Sequence, residues 1–230
     1  MGRYRMLAVG AGAIALLSGC GGNDFAEESA ADIVKAAGAD MQDLSSLRMQ
    51  GALTSNGQDV SIDLALNTDG DCQGSIGLGD GTAEIVQQGG QAWFKPDQAF
   101  WEANAPDQAD QIMQVVGDKW VVLPPGDESF TSFCDLDTLL KDIGDGPESD
   151  TSTEGETEEV DGQDTVIVNS TSDSGDPVKA WIATDDPHHI LKMQVTQGDE
   201  PGTITFSDFD ADLEIEAPAD EDTIDLNNMQ

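Results

Sequence analysis

Basic residues are the scarcest thing in this chain: 9 Lys and Arg stand against 46 Asp and Glu, a formal charge of −37. A surface of that sign repels nucleic acid and anionic headgroups, which are gripped through clusters of Lys and Arg. Histidine is almost as rare. His188 and His189 are the two present, so catalytic triads and His-rich zinc sites have little to be built from. Aromatic residues make up 5% of the chain, which leaves the core to aliphatic side chains. Gln73 stands where a nucleophile elbow around Ser75 would need glycine. There is no phosphate-binding glycine loop and no paired-histidine helix. These gaps predict a protein that is not an enzyme, with no catalytic residue, no metal, no cofactor and no nucleic-acid partner.

Long apolar runs are missing too, with one exception at the start. Met6 to Leu17 carries no charge, follows Arg3 and Arg5, and runs into Leu17-Ser18-Gly19-Cys20. It falls short of the roughly 20 apolar residues that span a bilayer, and a short apolar run behind a basic start is a secretory signal. The Leu-Ser-Gly-Cys ending resembles the lipobox, which implies cleavage before Cys20 and acylation of that cysteine. We therefore expect a signal over 1–19, a lipidated tether over 20–28 and a single domain over 29–230. The mature chain would lie on the extracytoplasmic face of the cell membrane, held by lipid on Cys20, as a monomer. Loss of Arg3 and Arg5 takes the formal charge from −37 to −39. Cys72 and Cys134 then remain, an even pair in an oxidising compartment, and predict a disulfide that closes a large loop.

Periodicity supplies the elements. Ile33, Ala36, Ala37, Met41 and Leu44 recur at helical spacing, predicting an amphipathic helix over Ser29–Leu47, weakened at Gly38. Val60, Ile62, Leu64 and Leu66 alternate with polar neighbours, as in a strand with one wet face, and Asn56-Gly57 marks the hairpin joining it to the strand before. Further strands at near-regular intervals read as an antiparallel meander. Short helices interrupt it at Asp97–Ala103, Asp107–Val116 and Asp135–Ile143. Gly144 to Glu159 has no apolar residue to bury and reads as an acidic mobile loop. Near the end, Ile204 and Phe206 are apolar at even positions, whereas Phe209, Ala211, Leu213 and Ile215 are apolar at odd ones. A bulge or tight turn is needed near Ser207 and Asp208, with strand on either side.

Three clusters invite a metal reading and each has a plainer one. Asp185-Asp186-Pro187-His188-His189 puts adjacent histidines on opposite sides of a strand, so it reads as a turn opening that strand. Asn67-Thr68-Asp69-Gly70-Asp71 has its glycine too early for a calcium loop and lacks the closing glutamate, so it reads as a hairpin turn. Asp208, Asp210 and Asp212 read as a solvated outer face. Trp93, Phe94, Phe100, Trp101, Trp120, Phe130, Phe133 and Trp181 carry most of the aromatic surface. They fit a cavity enclosed by a curled sheet and its helices, or equally a filled core.

The order of these parts has a family likeness. Cys20 is followed by a helix running into Ser45-Ser46-Leu47-Arg48-Met49-Gln50-Gly51. Ala92-Trp93-Phe94-Lys95, Phe100-Trp101, Gly117-Asp118-Lys119-Trp120 and Asp135-Leu136 with Leu139-Leu140 come next. Ala180-Trp181-Ile182-Ala183 and Ile204-Thr205-Phe206-Ser207-Asp208-Phe209 follow, before Ala217-Pro218. This resembles the actinobacterial LppX/LprG-like lipoproteins, which have a LolA/LolB-like fold. The resemblance implies an α+β fold: a strongly curved antiparallel β-sheet, a half-barrel, with α-helices covering the concave face. It also implies a cavity that binds the acyl chains of a membrane lipid or lipoglycan, which the protein carries or presents without catalysis. It transfers no catalytic residue and no ligand-lining position. A non-enzymatic envelope scaffold or sensor that binds a protein partner is the alternative.

Overall fold

In the computed structural model the described residues are 24–55, 57–124, 132–144, 152–172, 174–198 and 200–225. Cys20, the segment before it, and Phe130 lie outside them. The alternation read from the sequence becomes a sheet. β1 (Ser46–Ser55), β2 (Gln58–Asn67), β3 (Cys72–Leu78), β4 (Gly81–Gln88), β5 (Gln91–Pro96) and β6 (Trp120–Val122) follow one another as antiparallel neighbours. β7 (Thr153–Val160), β8 (Gln163–Thr171), β9 (Pro177–Ala183), β10 (Ile190–Val195) and β11 (Gly202–Ser207) form a second meander, which joins the first where β11 pairs with β1. A two-residue β12 (Thr223–Ile224) adds to β6 in parallel. Among the described residues this makes one open, curved sheet of twelve strands, ordered β12-β6-β5-β4-β3-β2-β1-β11-β10-β9-β8-β7.

Register decides which side chains share a face. Leu47 lies opposite Leu66, and Leu66 opposite Cys72; Met49 lies opposite both Leu64 and Phe206. This concave face receives α1 (Ala30–Gln42), α2 (Gln98–Asn104) and α4 (Leu136–Gly144), while α3 (Ala109–Val116) packs on α2. Ser29 caps α1, its hydroxyl accepting from the Asp32 N–H at 3.3 Å. Four-residue spacing then puts Ile33, Ala37 and Met41 on one stripe, all fully buried. Asp97 caps α2 by accepting from the Phe100 N–H at 2.7 Å, and Asp135 caps α4 by accepting from the Thr138 N–H at 2.9 Å. Gly38, a weak point for an isolated helix, lies against Gly144 and lets α1 and α4 touch: a Cβ there would stand 3.5 Å from the Gly144 Cα.

The structure corrects several expectations. α1 ends at Gln42, and Leu47 belongs to β1. The stretch expected as an acidic mobile loop over 144–159 contains β7 from Thr153 onward, paired with β8. Its side chains bury almost nothing, as their chemistry requires, but strand formation needs only backbone pairing. A glutamate-rich strand also suits a sheet edge, where charge blocks edge-to-edge aggregation. Residues 145–151 of that stretch lie outside the described set. The phase change near Asp208 is real: Asp208 and Asp210 have φ of 51° and 53°. The chain does not resume as a strand there, however, and residues 208–219 run without strand pairing along the ends of the strands. Asp210 N–H donates to the Ser46 carbonyl, and Gln88 Nε2 to the Ile215 carbonyl.

Candidate functional site

The concave face divides in two along the strands. At the end where β1 begins, α1 and α4 press on Leu47, Leu64, Leu66 and Ile85, and these side chains are 0–1% exposed. The disulfide between Cys72 and Cys134 ties the turn before α4 to the start of β3, with a Cα–Cα distance of 5.4 Å, inside the range that such bridges adopt. This half is a filled core.

At the other end of the same strands the apolar face continues with no helix of the described residues on it. Leu53 of β1, Ile204 of β11, Met193 and Val195 of β10 and Val178 of β9 line an apolar groove of about 250 Å³. Gly202 lies opposite Leu53, and a Cβ there would overlap Leu53, so the missing side chain keeps the groove floor open. Gln194 and Glu200 form its polar rim, and Glu200 accepts from the Ser55 hydroxyl at 2.8 Å. The arrangement offers a dry strip for an apolar chain and a wet edge for a polar head. α2 covers the neighbouring strand ends: it lies so close to Gly81 that a Cβ there would overlap the Phe100 backbone.

The remaining candidates fall away from this groove. His188 and His189 lie beyond the far ends of the strands, in the turn between β9 and β10, as read. The His188 ring stacks on Phe25 with centroids 3.5 Å apart, and the backbone N–H of His188 donates to the Asp40 carboxylate at 2.6 Å. His189 packs on Phe209 at 4.2 Å, and burial holds its pKa below the ordinary histidine value. Asp210 spends a carboxylate oxygen on the Ser45 N–H and hydroxyl, both at 2.8 Å, and these bonds hold it below the usual carboxylate range. Asn67 accepts from the Asp69 and Asp71 N–H groups, as a hairpin turn asks. Among the described residues no group of three or more His, Cys, Asp or Glu is placed to hold a metal ion.

The aromatics disperse. Phe94, Phe100 and Trp101 pack edge to face on the concave side, whereas Phe133 is 42% exposed and Val115 of α3 is 53% exposed. Trp93, Trp120 and Trp181 belong to the convex face. On that face Arg48 grips Asp63 through two bonds of 2.9 and 2.8 Å, which raises the guanidinium pKa and lowers that of the carboxylate. Sequence reasoning assigned none of the groove residues to binding. Their alternation was visible, but which end of the concave face lacks a helix is a matter of helix placement, and no local pattern encodes it.

Comparison with family models and with curated protein sequences gives no match. Solved structures do match. The crystal structure of LprF from Mycobacterium bovis aligns with a TM-score of 0.60 at 17% identity, over 83% of this chain and 97% of that one. The chain has the LppX/LprF fold. The lipoprotein LppX of Mycobacterium tuberculosis aligns with a TM-score of 0.52, also at 17% identity, over 81% of this chain and 98% of that one. The likeness to LppX/LprG-like lipoproteins read from the sequence is thus borne out in the fold, an α+β half-barrel of LolA-like form. Within the LppX/LprF fold described here, no helix among the described residues is long and apolar enough to cross a membrane.

Proposed function

We propose that this protein is a non-catalytic envelope lipoprotein that holds an acyl chain of a membrane lipid or lipoglycan in the concave groove and carries or presents it. Cys20, acylated, is its anchor on the extracytoplasmic face. The observation that carries the reading is the apolar groove lined by Leu53, Val178, Met193 and Ile204, left uncovered beside a fully packed core. Each methylene moved from water into such a strip contributes about 0.8 kcal/mol. At about 250 Å³ the groove is smaller than the roughly 300–1,000 Å³ of small-molecule pockets. It accordingly takes part of one chain and leaves the headgroup at the rim of Gln194 and Glu200.

The test is native mass spectrometry of the Cys20→Ser protein purified from its own envelope. The expected result is a co-purifying lipid at fixed stoichiometry, absent from Ile204→Arg. A protein that emerges empty under mild conditions, and takes up no lipid from vesicles, overturns the carrier. One observation favours the alternative, a scaffold binding a protein partner: β7 lies at the sheet edge with Glu156 and Glu159 exposed, a place for a Lys- or Arg-rich strand to add. Removing β7 would then abolish a protein interaction and leave lipid uptake unchanged.

A further inference from the structure

The convex face, which the carrier reading leaves idle, gathers what the chain has least of. Three of its four tryptophans are there: Trp93 lies opposite Val86 and Val122, Trp181 lies opposite Lys192, and Trp120 has Lys95 Nζ 5.7 Å from its ring. Arg48, Lys95 and Lys192, three of nine basic residues, are on the same face. Register lays an unbroken row of hydrogen-bonding side chains across six neighbouring strands: Lys95, Glu84, Ser75, Asp63, Gln50 and Thr205.

Between the aromatic and the charged parts of this face is a cleft of about 290 Å³. Trp120 and Val86 form one wall, and the Arg48–Asp63 pair forms the other. Gln73 and Ser75 lie between them, with Glu84 beside. Gln50 Nε2 donates to Asp63 at 3.0 Å and helps hold the charged wall in place.

Chemistry selects the occupant. Arg48, the cation among the residues that line the cleft, is already neutralised by Asp63, and the chain's formal charge of −37 repels any polyanion. Asp63 is likewise spent on Arg48, and Glu84 is left as a single carboxylate at the side, an acceptor for a hydroxyl but, with no group of three such ligands among the described residues, not a metal site. What remains is a half-exposed indole facing planar groups that both donate and accept. A pyranose ring presents the matching pair, a C–H face to lie on the indole and a rim of hydroxyls to bridge amide, guanidinium and carboxylate. We propose that this convex cleft binds a neutral saccharide, at a site separate from the concave groove.

Titration calorimetry of the Cys20→Ser protein with cellohexaose, maltohexaose and mannohexaose tests this. Vesicles containing a neutral glycosyl diacylglycerol, tested beside them, separate a free glycan from a lipid headgroup. The expected result is saturable binding to at least one hexasaccharide or to the vesicles, weakened about tenfold or more by Trp120→Ala and unchanged by Ile204→Arg in the concave groove. Gln73→Trp, which fills the cleft from a polar strand position, gives the same loss should Trp120→Ala fail to fold. Absence of binding to every probe overturns the proposal, as does binding indifferent to both cleft substitutions. Loss with Ile204→Arg alone overturns it too, by assigning the signal to the concave groove.

Discussion

The two halves of the concave face are made from the same strands in the same alternation, yet one is solid and the other is an open groove. β1 shows the contrast within ten residues: Leu47 is fully buried under the helices, while Leu53 lines the groove. The difference does not come from hydrophobicity, which is alike at both ends. It comes from where α1 and α4 are fastened, by the Cys72–Cys134 bridge and the Gly38–Gly144 contact, both of which act on the filled half. A binding surface in this fold is therefore apolar sheet that the helices were not long enough, or not placed, to cover.

Breaking the fastening should give the largest effect. The bridge closes 62 residues of sequence separation, for which constraint of the unfolded chain contributes about 4 kcal/mol. Replacing Cys72 and Cys134 together with alanine should therefore lower the urea midpoint and the Tm substantially. Lipid taken up per folded molecule, measured well below the new Tm, should stay the same. A matching fall in lipid uptake would show that the groove depends on the filled half more than its geometry implies.

Truncation on the two sides sharpens the contrast. Ile33→Ala, in the filled half at 0% exposure, should destabilise by about 2–5 kcal/mol and leave the groove untouched. Ile204→Ala, on a half-exposed side chain, should cost about 1 kcal/mol or less and weaken lipid uptake. Equilibrium unfolding and vesicle-to-protein lipid transfer, measured on both variants, should rank them in opposite orders.

Much of this was legible in advance. The alternation of β2, its pairing with the strand before it and the cysteine pair each follow from local signals: alternation, turn chemistry and an even number of thiols. The family likeness carried the half-barrel. What was not legible depends on partners distant in sequence. β7 forms from residues with nothing to bury because β8 offers its backbone. Trp93, Trp120 and Trp181 are on the outer face because strand parity, and not hydrophobicity, chose their side. Phe209 to Ile215 alternates like a strand, yet no neighbouring strand is there to pair with it.

Glycines at the two kinds of helix contact should respond in opposite directions. At Gly81 a Cβ would overlap the Phe100 backbone, so Gly81→Ala should cost about 1–3 kcal/mol as α2 is pushed off the sheet. At Gly38 the nearest atom to a new Cβ is 3.5 Å away, an ordinary contact, so Gly38→Ala should gain about 0.5–1 kcal/mol from helix propensity alone. Thermal unfolding of the two single variants decides this. A loss at Gly38 would mean that α1 and α4 have no slack, and that the filled half is packed more tightly than the groove half by design of that contact.

The smallest effect concerns protons, and it too separates the halves. Both histidines lie at the filled end, His189 against Phe209 and His188 against Phe25, so the charge change of His189 acts there and not at the groove. Burial lowers the His189 pKa below the ordinary histidine value, against the pull of Asp40 and Asp210. The folded state thus resists a proton that the unfolded chain accepts. The stability linked to His189 is complete above the unfolded value and is lost as pH falls from there toward the folded pKa, where the loss levels off. Relief of acidic self-repulsion runs the other way over the same range, so the informative quantity is a difference. Unfolding midpoints of wild type and His189→Gln, measured from pH 7.5 to 5, should converge or cross as pH falls, because only the wild type carries this penalty. Parallel curves would place the His189 ring in water, and the lock between the β9–β10 turn and Phe209 would then be no part of what keeps the filled end closed.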